Sequence, residues 1–468
     1  MKIRREAWKR ATDRISTHMT ASQIMVAGFA ILIFAGGLLL SMPFCNADGK
    51  WLNFLDALFT ACSAVCVTGL VTITPAVQFT LAGKLILLLL IQLGGLGIIA
   101  CTMGAFLILK KQITIRSRVM IQDSYDLHTM SGVVAMLRYV LHGTFAVEGI
   151  GAVLYAIAFI PKYGVLRGLW YGVFHSVSAF CNAGIDILGA NSLEGYQADP
   201  YINLVTILLI IVSGLGFLVW RDLTLTAKRI WKKEYPVGRA LQKMRLHTKL
   251  ALSMTGFLLI IGTVAIFAME YTNPRTLGTM TTGQKWIASL FQAVTTRTAG
   301  FFTIPQDHFL PQSQLLSCML MFIGGSPGGT AGGVKTTTIA ILAATCWSVL
   351  KGSEDTECFR RKILPVNIRT GFSVAAVSFS AVLLGTMALL IMEHTGLIEA
   401  LYEVVSAVGT VGLTAGLTPS LSSAGKCVII LLMYMGRLSP VTLAFLFAGK
   451  MGRRGKGRKL PEERIMVG

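Results

Sequence analysis

The sequence predicts an all-α polytopic membrane protein built from four like units, each a span, a re-entrant half-helix, a loop and a second span, giving eight spans and four half-helices. Three observations carry that reading. The chain is 54% hydrophobic and only 14% charged, where an ordinary soluble domain carries about 25% charged residues. Apolar runs near 22–42, 79–109, 133–160, 202–220, 250–269, 371–392 and 426–448 approach or exceed the length of a bilayer crossing. A short motif also recurs four times at near-equal spacing.

The units follow in order. A basic amino-terminal segment, 1–20, precedes the first unit, 21–109. The opening "MKIRREAWKRATDR" imitates the start of a signal peptide, but the run after it is too long and "SMPFCNADGK" offers a weak cleavage site. The first run therefore reads as a retained helix. The second unit with its preceding loop covers 110–226, the third with its preceding basic loop covers 227–350, and the fourth covers 351–450 before a basic tail, 451–468.

The net charge of +20 suggests a nucleic acid or an anionic surface, and the positions of the charges decide for the membrane. Clusters at 2–14, 110–118, 228–249, 351–369 and 450–464 hold roughly thirty of the 42 Lys and Arg. By the positive-inside rule all five are cytoplasmic, as are both termini. The interleaved aromatics of a nucleic-acid groove are missing. The nine cysteines are scattered, mostly in apolar segments, and read as reduced, buried small hydrophobes.

The repeated motif is "FTACSAVCVTGL" at 59–70, "FHSVSAFCNAGI" at 174–185, "FQAVTTRTAGF" at 291–301 and "YEVVSAVGTVGL" at 402–413. Each starts on an aromatic (Phe59, Phe174, Phe291, Tyr402), has a hydroxyl one helical turn later (Ser63, Ser178, Thr295, Ser406) and reaches a glycine (Gly69, Gly184, Gly300, Gly412). The glycines are 115, 116 and 112 residues apart. Each segment reads as a helix too short to cross, followed by extended chain. Non-helical backbone at membrane depth is tolerated only where it is buried in protein or lines a wet cavity. Four such segments can surround one axis.

The C-terminus of a half-helix carries partial negative charge, so four of them aimed at the membrane centre favour a cation. The tripeptides Val67-Thr68-Gly69, Asn182-Ala183-Gly184, Thr298-Ala299-Gly300 and Thr410-Val411-Gly412 can turn backbone carbonyls inward in place of ion hydration. Glycine supplies conformations closed to other residues. The fold class thus becomes four units around one pseudo-fourfold ion pore.

At this point "CVTGL", "CNAGI", "TRTAGF" and "GTVGLTAG" resemble the four filter loops of the Trk/Ktr/HKT potassium transporters, over essentially the whole chain. The length is similar to the shorter Ktr-type membrane subunit, without room for the two further N-terminal spans of Trk-type subunits. The resemblance implies potassium as the transported ion, with sodium as the alternative cation, and no organic cofactor on this chain. It implies a homodimer with one pore per subunit in the plasma membrane of a prokaryote. It also implies a cytoplasmic ring of RCK-type regulatory subunits that binds nucleotides such as ATP, ADP or NAD(H). The plant sodium-selective branch carries serine at the first filter glycine, and Gly69 places this chain on the potassium side.

The stretch "IGGSPGGTAGGVKTTT", 323–338, begins 24 residues after Gly300. Equivalent glycines follow the other motifs: "GGLG" from Gly94, "SGLG" from Ser213 and Gly436, so all four outgoing helices can bend below the filter. Only the third is opened by Gly324, Gly325, Gly328, Gly329, Gly332, Gly333 and Pro327. Each such glycine costs about 1 kcal/mol of helix stability and the proline about 3. A nucleotide P-loop is excluded because Val334 separates Gly333 from Lys335. A packing kink and a gate remain. The family resemblance implies the gate, a mobile loop that obstructs the pore beneath the filter.

Arg437 follows Gly436, in the middle of the last span, where a charge is costly and usually functional. Its five donors suit loop carbonyls, and its charge repels a cation. An ion pair with an acidic residue is the structural alternative. Lys335 either adds a second positive charge or snorkels to the cytoplasm. Arg297 tethers the third filter loop. Glu148 and Glu270 are candidate partners for buried arginine, and Asp222 in "RDL" reads as a cytoplasmic-side cap or pair. No nucleophile–base arrangement suggests an enzyme. A coupled transporter of another small solute is the alternative class, although it usually has inverted repeats and these all run the same way.

Overall fold

A computed structural model describes residues 21–109, 119, 122, 132–189 and 191–438. The expected segment 1–20, the basic cluster 110–118, the last span beyond 438 and the tail 451–468 lie outside these residues.

The chain is helical almost throughout. The first unit contains α1 (Ala21–Ser41), α2 (Phe54–Cys66), α3 (Leu81–Leu96) and α4 (Ile98–Ile108). The second contains α5 (Val133–Tyr163), α6 (Val165–Cys181), α7 (Pro200–Gly214) and α8 (Phe217–Trp231). The third contains α9 (Leu246–Glu270), α10 (Thr282–Thr295), α11 (Pro311–Phe322) and α12 (Thr336–Leu350). After a two-residue-per-strand hairpin, β1 (Glu357–Cys358) with β2 (Arg361–Lys362), come α13 (Pro365–Met392), α14 (Leu397–Gly409) and α15 (Ser423–Leu438).

Local chemistry fixes several starts. Asn53 accepts the Leu55 N–H at 2.9 Å and Asp199 the Tyr201 N–H at 3.0 Å, so each caps its helix. Prolines open α7, α11 and α13, where a missing N–H costs nothing. Across the connection between α8 and α9, Asp222 Oδ2 accepts the N–H of Arg245, the residue that precedes α9, at 3.1 Å.

Among the described residues, α1, α5, α9 and α13 are each long and apolar enough to cross a membrane, and counting each bent pair as one crossing gives six. The bent pairs are the outgoing helices of the first two units: α3 meets α4 at 101° and α7 meets α8 at 97°. The apolar runs 79–109 and 202–220 are therefore broken, at Gly97 and at Leu215–Gly216. In the fourth unit α15 runs through Gly436 to Leu438, where the described residues end. The chain is a multi-pass membrane protein whose outward faces carry apolar side chains such as Ile31, Val153, Ile260 and Leu384.

The short helices α2, α6, α10 and α14, of 13, 17, 14 and 13 residues, lie inside this shell. Their aromatic residues Phe59, Phe174, Phe291 and Tyr402 are fully buried. Small residues let them approach their neighbours. A side-chain carbon at Gly168 would stand 2.7 Å from the Ile160 backbone, and one at Gly172 would stand 2.8 Å from the Ala152 carbonyl oxygen, so α5 and α6 pack backbone to backbone.

Candidate functional site

Val67, Asn182 and Thr410 cap α2, α6 and α14 directly, whereas α10 ends at Thr295 and its turn reaches Thr298 three residues later. Val67, Asn182, Thr298 and Thr410 all adopt positive φ (55°, 60°, 73° and 50°), and the glycines two residues on do too. In the first, second and fourth turns the left-handed residue stops the helix, and N–H groups of the turn bond two carbonyls of its last turn, as Val67 and Thr68 bond those of Ala64 and Ser63. The repeated hydroxyl holds that turn. Ser63 Oγ accepts the Gly69 N–H at 2.9 Å and Ser406 Oγ accepts the Gly412 N–H at 3.0 Å. Ser178 Oγ donates to the Ile185 carbonyl at 2.6 Å and Thr295 Oγ1 to the Phe301 carbonyl at 2.5 Å, one residue beyond their glycines.

The four turns meet in a closed ring. A side-chain carbon on Gly69 would lie 2.6 Å from the Ala183 carbonyl oxygen, one on Gly184 2.6 Å from that of Ala299, and one on Gly300 2.7 Å from that of Val411. One on Gly412 would overlap the Thr68 carbonyl oxygen, which closes the circle on the first unit. Each glycine thus abuts the carbonyl that precedes the next unit's glycine. Val67, Thr68, Gly69, Asn182, Ala183, Gly184, Thr298, Ala299, Gly300, Thr410, Val411 and Gly412 are all brought together here. Among the described residues, the buried hydroxyls of Thr68, Thr298 and Thr410 have no hydrogen-bond partner.

Residues 323–335 lie directly against one side of this ring. The loop closes on itself where the Gly324 N–H donates to the Val334 carbonyl at 2.8 Å and the Thr336 N–H to that of Gly325 at 3.1 Å. Gly324 is close to the Thr298 methyl, and a side chain on Gly332 would overlap the Thr410 hydroxyl. Gly333 faces the Gly409 carbonyl. Thr330 joins the second turn, since Asn182 Nδ2 donates to its Oγ1 at 3.2 Å and that hydroxyl donates to the Phe180 carbonyl at 3.2 Å. The loop's other arm rests on the break between α7 and α8. There the Ser326 N–H meets the Gly214 carbonyl at 2.9 Å, the Phe217 N–H meets that of Gly328 at 2.9 Å, and Gly329 packs on the Ser213 carbonyl. Gly325 packs against Ala331 and Gly214.

Arg437 anchors the far side. Its Nη1 donates to the Thr330 carbonyl at 2.6 Å, and its Nη2 donates to the Gly94 and Gly95 carbonyls at 2.5 Å and 3.2 Å. Its hydrogen-bond partners are carbonyls, so its charge is not neutralised by them. Lys335 does not extend away from the loop. Its Nζ folds back to the Ala331 carbonyl at 2.6 Å and approaches that of Gly332 at 3.4 Å. Arg297 ties the third turn to α9 through the Thr255 hydroxyl at 3.1 Å.

Two sequence expectations need correction. Glu148 bonds the Gln92 amide at 3.0 and 3.2 Å, and Glu270 bonds Asn273, Thr276 and the Leu310 N–H. Among the described residues neither carboxylate meets arginine: Glu148 is held by Gln92 and the Cys181 thiol, and Glu270 by an amide, a hydroxyl and a backbone N–H. The reach of Arg437 to Gly94 and Gly95 was not legible, since it requires the first and fourth units to be neighbours.

Comparisons with known proteins identify the family. The family model described as TrkH, cation transport protein, matches residues 4–454. The chain is 40% identical to the potassium/sodium uptake protein NtpJ of Enterococcus hirae, over 97% of this chain and 99% of that one. It is 38% identical to the Ktr system potassium uptake protein B of Bacillus subtilis, over 92% of this chain and 93% of that one. The crystal structure of the potassium transporter TrkH from Vibrio parahaemolyticus shares the fold, with a TM-score of 0.71 and 19% identity over 92% of this chain and 85% of that one. These proteins are membrane ion transporters and not enzymes. The chain belongs to the TrkH family of cation transport proteins.

Proposed function

We propose that the chain is the membrane subunit of a potassium uptake system and that potassium passes along the axis of the four-turn ring. The observation that carries this is the ring's closure. Four glycine turns, one from each unit, abut in sequence so that the Thr68, Ala183, Ala299 and Val411 carbonyls surround a common centre. Backbone oxygens replace the hydration shell of a monovalent cation without fixed negative charge. The unpartnered Thr68, Thr298 and Thr410 hydroxyls add oxygens of the same kind.

In this reading each unit is a span, a pore half-helix and a second span. The outgoing spans are α3 with α4, α7 with α8, α11 with α12, and α15, which makes eight crossings. Residues 323–335 are the gate, closed against the ring by Asn182, Thr298, Thr410 and Arg437. Arg437 locks the loop and places a positive charge beside the path. The subunit works as a homodimer with both termini in the cytoplasm, and a nucleotide-binding regulatory ring acts on the loop from the cytoplasmic side.

A less selective uptake of sodium and potassium is the second reading, favoured by the name of the Enterococcus relative. One experiment separates them. The chain, expressed with its regulatory partner in a cell lacking potassium uptake, should restore growth at low potassium and accumulate potassium in preference to sodium. Failure to restore growth despite normal membrane expression would sink the uptake reading. Equal accumulation of both ions would favour the second.

A further inference from the structure

The residue after each repeated aromatic is polar and buried: Thr60, His175, Gln292 and Glu403. In the first two units this side chain turns to its own helix. Thr60 Oγ1 donates to the Asp56 carbonyl at 2.9 Å, and His175 Nδ1 pairs with the Tyr171 carbonyl at 2.8 Å. In the last two units it leaves the helix and meets the residue six places beyond the ring glycine. Gln292 and Gln306 exchange two amide bonds, at 2.6 and 3.1 Å. Glu403 Oε1 accepts a hydrogen bond from the Thr418 hydroxyl.

The two contacts are joined. The aromatic position is phenylalanine in three units and tyrosine in the fourth, and the Tyr402 hydroxyl donates to Gln306 Oε1 at 2.8 Å. Gln306 also donates to the Ile304 carbonyl at 2.6 Å, and its own carbonyl accepts from Gln314 Nε2 at 3.2 Å. Its side-chain amide therefore uses both oxygen lone pairs and both N–H donors, in a place that is 3% exposed. A satisfied polar network at low dielectric is stiff, and losing one member leaves the others unpaired.

We propose that Tyr402, Gln306 and Gln292, with the parallel Glu403–Thr418 pair, are positioning residues that set discrimination between potassium and sodium. The inference rests on the reading of the ring as the ion filter. Each ring carbonyl is held on its inner side by a half-helix and on its outer side by the arm leaving the glycine. The Gln292–Gln306 and Glu403–Thr418 contacts fasten the outer arms of the third and fourth turns to their own half-helices. The Tyr402 hydroxyl fastens the third arm to the fourth half-helix, which also holds the fourth arm. With both ends fixed, these turns cannot close around the smaller sodium ion. In the first unit the arm is tied at another place, where the Thr72 hydroxyl donates to Asp56 Oδ1 at 2.7 Å, and in the second unit the corresponding residue, 190, lies outside the described residues. The amide and tyrosine network belongs to the half of the ring formed by α10 and α14.

The test measures half-saturation and maximal rate for potassium and for sodium, in cells or proteoliposomes, for Tyr402→Phe, Gln306→Leu and Gly412→Ser. Tyr402→Phe removes one hydroxyl and gives the fourth unit the residue the other three carry. It should lower the potassium-to-sodium affinity ratio about threefold to tenfold, the range that one buried hydrogen bond corresponds to. The ratio should fall by more than the maximal potassium rate, and Gln306→Leu should lower it further. A network that serves packing alone would lower expression or rate and leave the ratio in place. An unchanged ratio in Tyr402→Phe, with a collapsed ratio in Gly412→Ser, overturns the inference and leaves the filter standing. An unchanged ratio in Gly412→Ser overturns the filter reading and the inference with it. If Gln306→Leu fails to reach the membrane, Tyr402→Phe alone decides.

Discussion

The ring and the loop beneath it are built on opposite plans. The ring is made four times, from a short helix, a left-handed residue and a glycine that abuts the next unit's carbonyl. The loop is made once, from six glycines and a proline between α11 and α12, a run that no other unit possesses. The ring is held mainly by its own backbone and four repeated hydroxyls. The loop is held by groups lent from elsewhere: Asn182 from the second unit, the α7–α8 break, and Arg437 from the fourth. A spherical ion calls for equivalent ligands all round it. In the proposed gate, a single borrowed loop can be released with the four glycine–carbonyl contacts that close the ring left in place, although it meets Asn182, Thr298 and Thr410.

Breaking the ring should have the largest effect. Gly69 sits at φ 104° with its missing side chain 2.6 Å from the Ala183 oxygen. Serine there costs about 1–3 kcal/mol in strained backbone alone and pushes a carbonyl out of place, so potassium-over-sodium discrimination should fall about tenfold or more. Competition of sodium with potassium uptake measures this, and unchanged affinities would show that the ring is not the filter.

Releasing the loop should come next, with the opposite sign. In Arg437→Ala, or after deletion of most of Gly325–Gly333, flux should rise and depend less on the regulatory subunit, with selectivity retained. A unit charge about 4 Å from the ion at an effective dielectric near 20 opposes it by about 4 kcal/mol, an upper figure that cavity water reduces. Tens-fold is therefore the most we expect. Proteoliposome flux checks it: unaltered flux in well-assembled protein would reduce the loop to a packing kink. Arg437→Lys keeps the charge but cannot bridge Thr330 to Gly94 and Gly95 at once, and it should open the loop by an intermediate amount.

The smallest effect belongs to one hydroxyl. Thr330→Val removes the link from Asn182 to the Phe180 carbonyl and should raise basal flux only about twofold to tenfold, the worth of a single hydrogen bond. A larger rise than in Arg437→Ala would mean that the second turn, and not the arginine, holds the loop.

Much of this plan is written locally and could be read without coordinates. The aromatic, hydroxyl and glycine of each motif lie within one short helix and its turn, so four copies reveal one another. The loop announces itself because six glycines and a proline cannot continue a helix. The bends at Gly97 and Leu215–Gly216 fall in the "GGLG" and "SGLG" glycines that allowed them, but their size, 101° and 97°, was not legible from apolar runs that read as one crossing. Contacts between units were illegible. Gly94 is 343 positions from Arg437, and Gln306 is 96 from Tyr402. Periodicity within a unit says nothing about which side chain of another unit faces it.

The most direct test is to locate the ion. Protein crystallised in saturating rubidium, a heavier stand-in for potassium, should show an anomalous peak on the ring axis among the carbonyls of Thr68, Ala183, Ala299 and Val411, and Gly412→Ser should abolish it. Strong rubidium sites elsewhere, with none on that axis in well-ordered wild-type crystals, would contradict conduction through the ring.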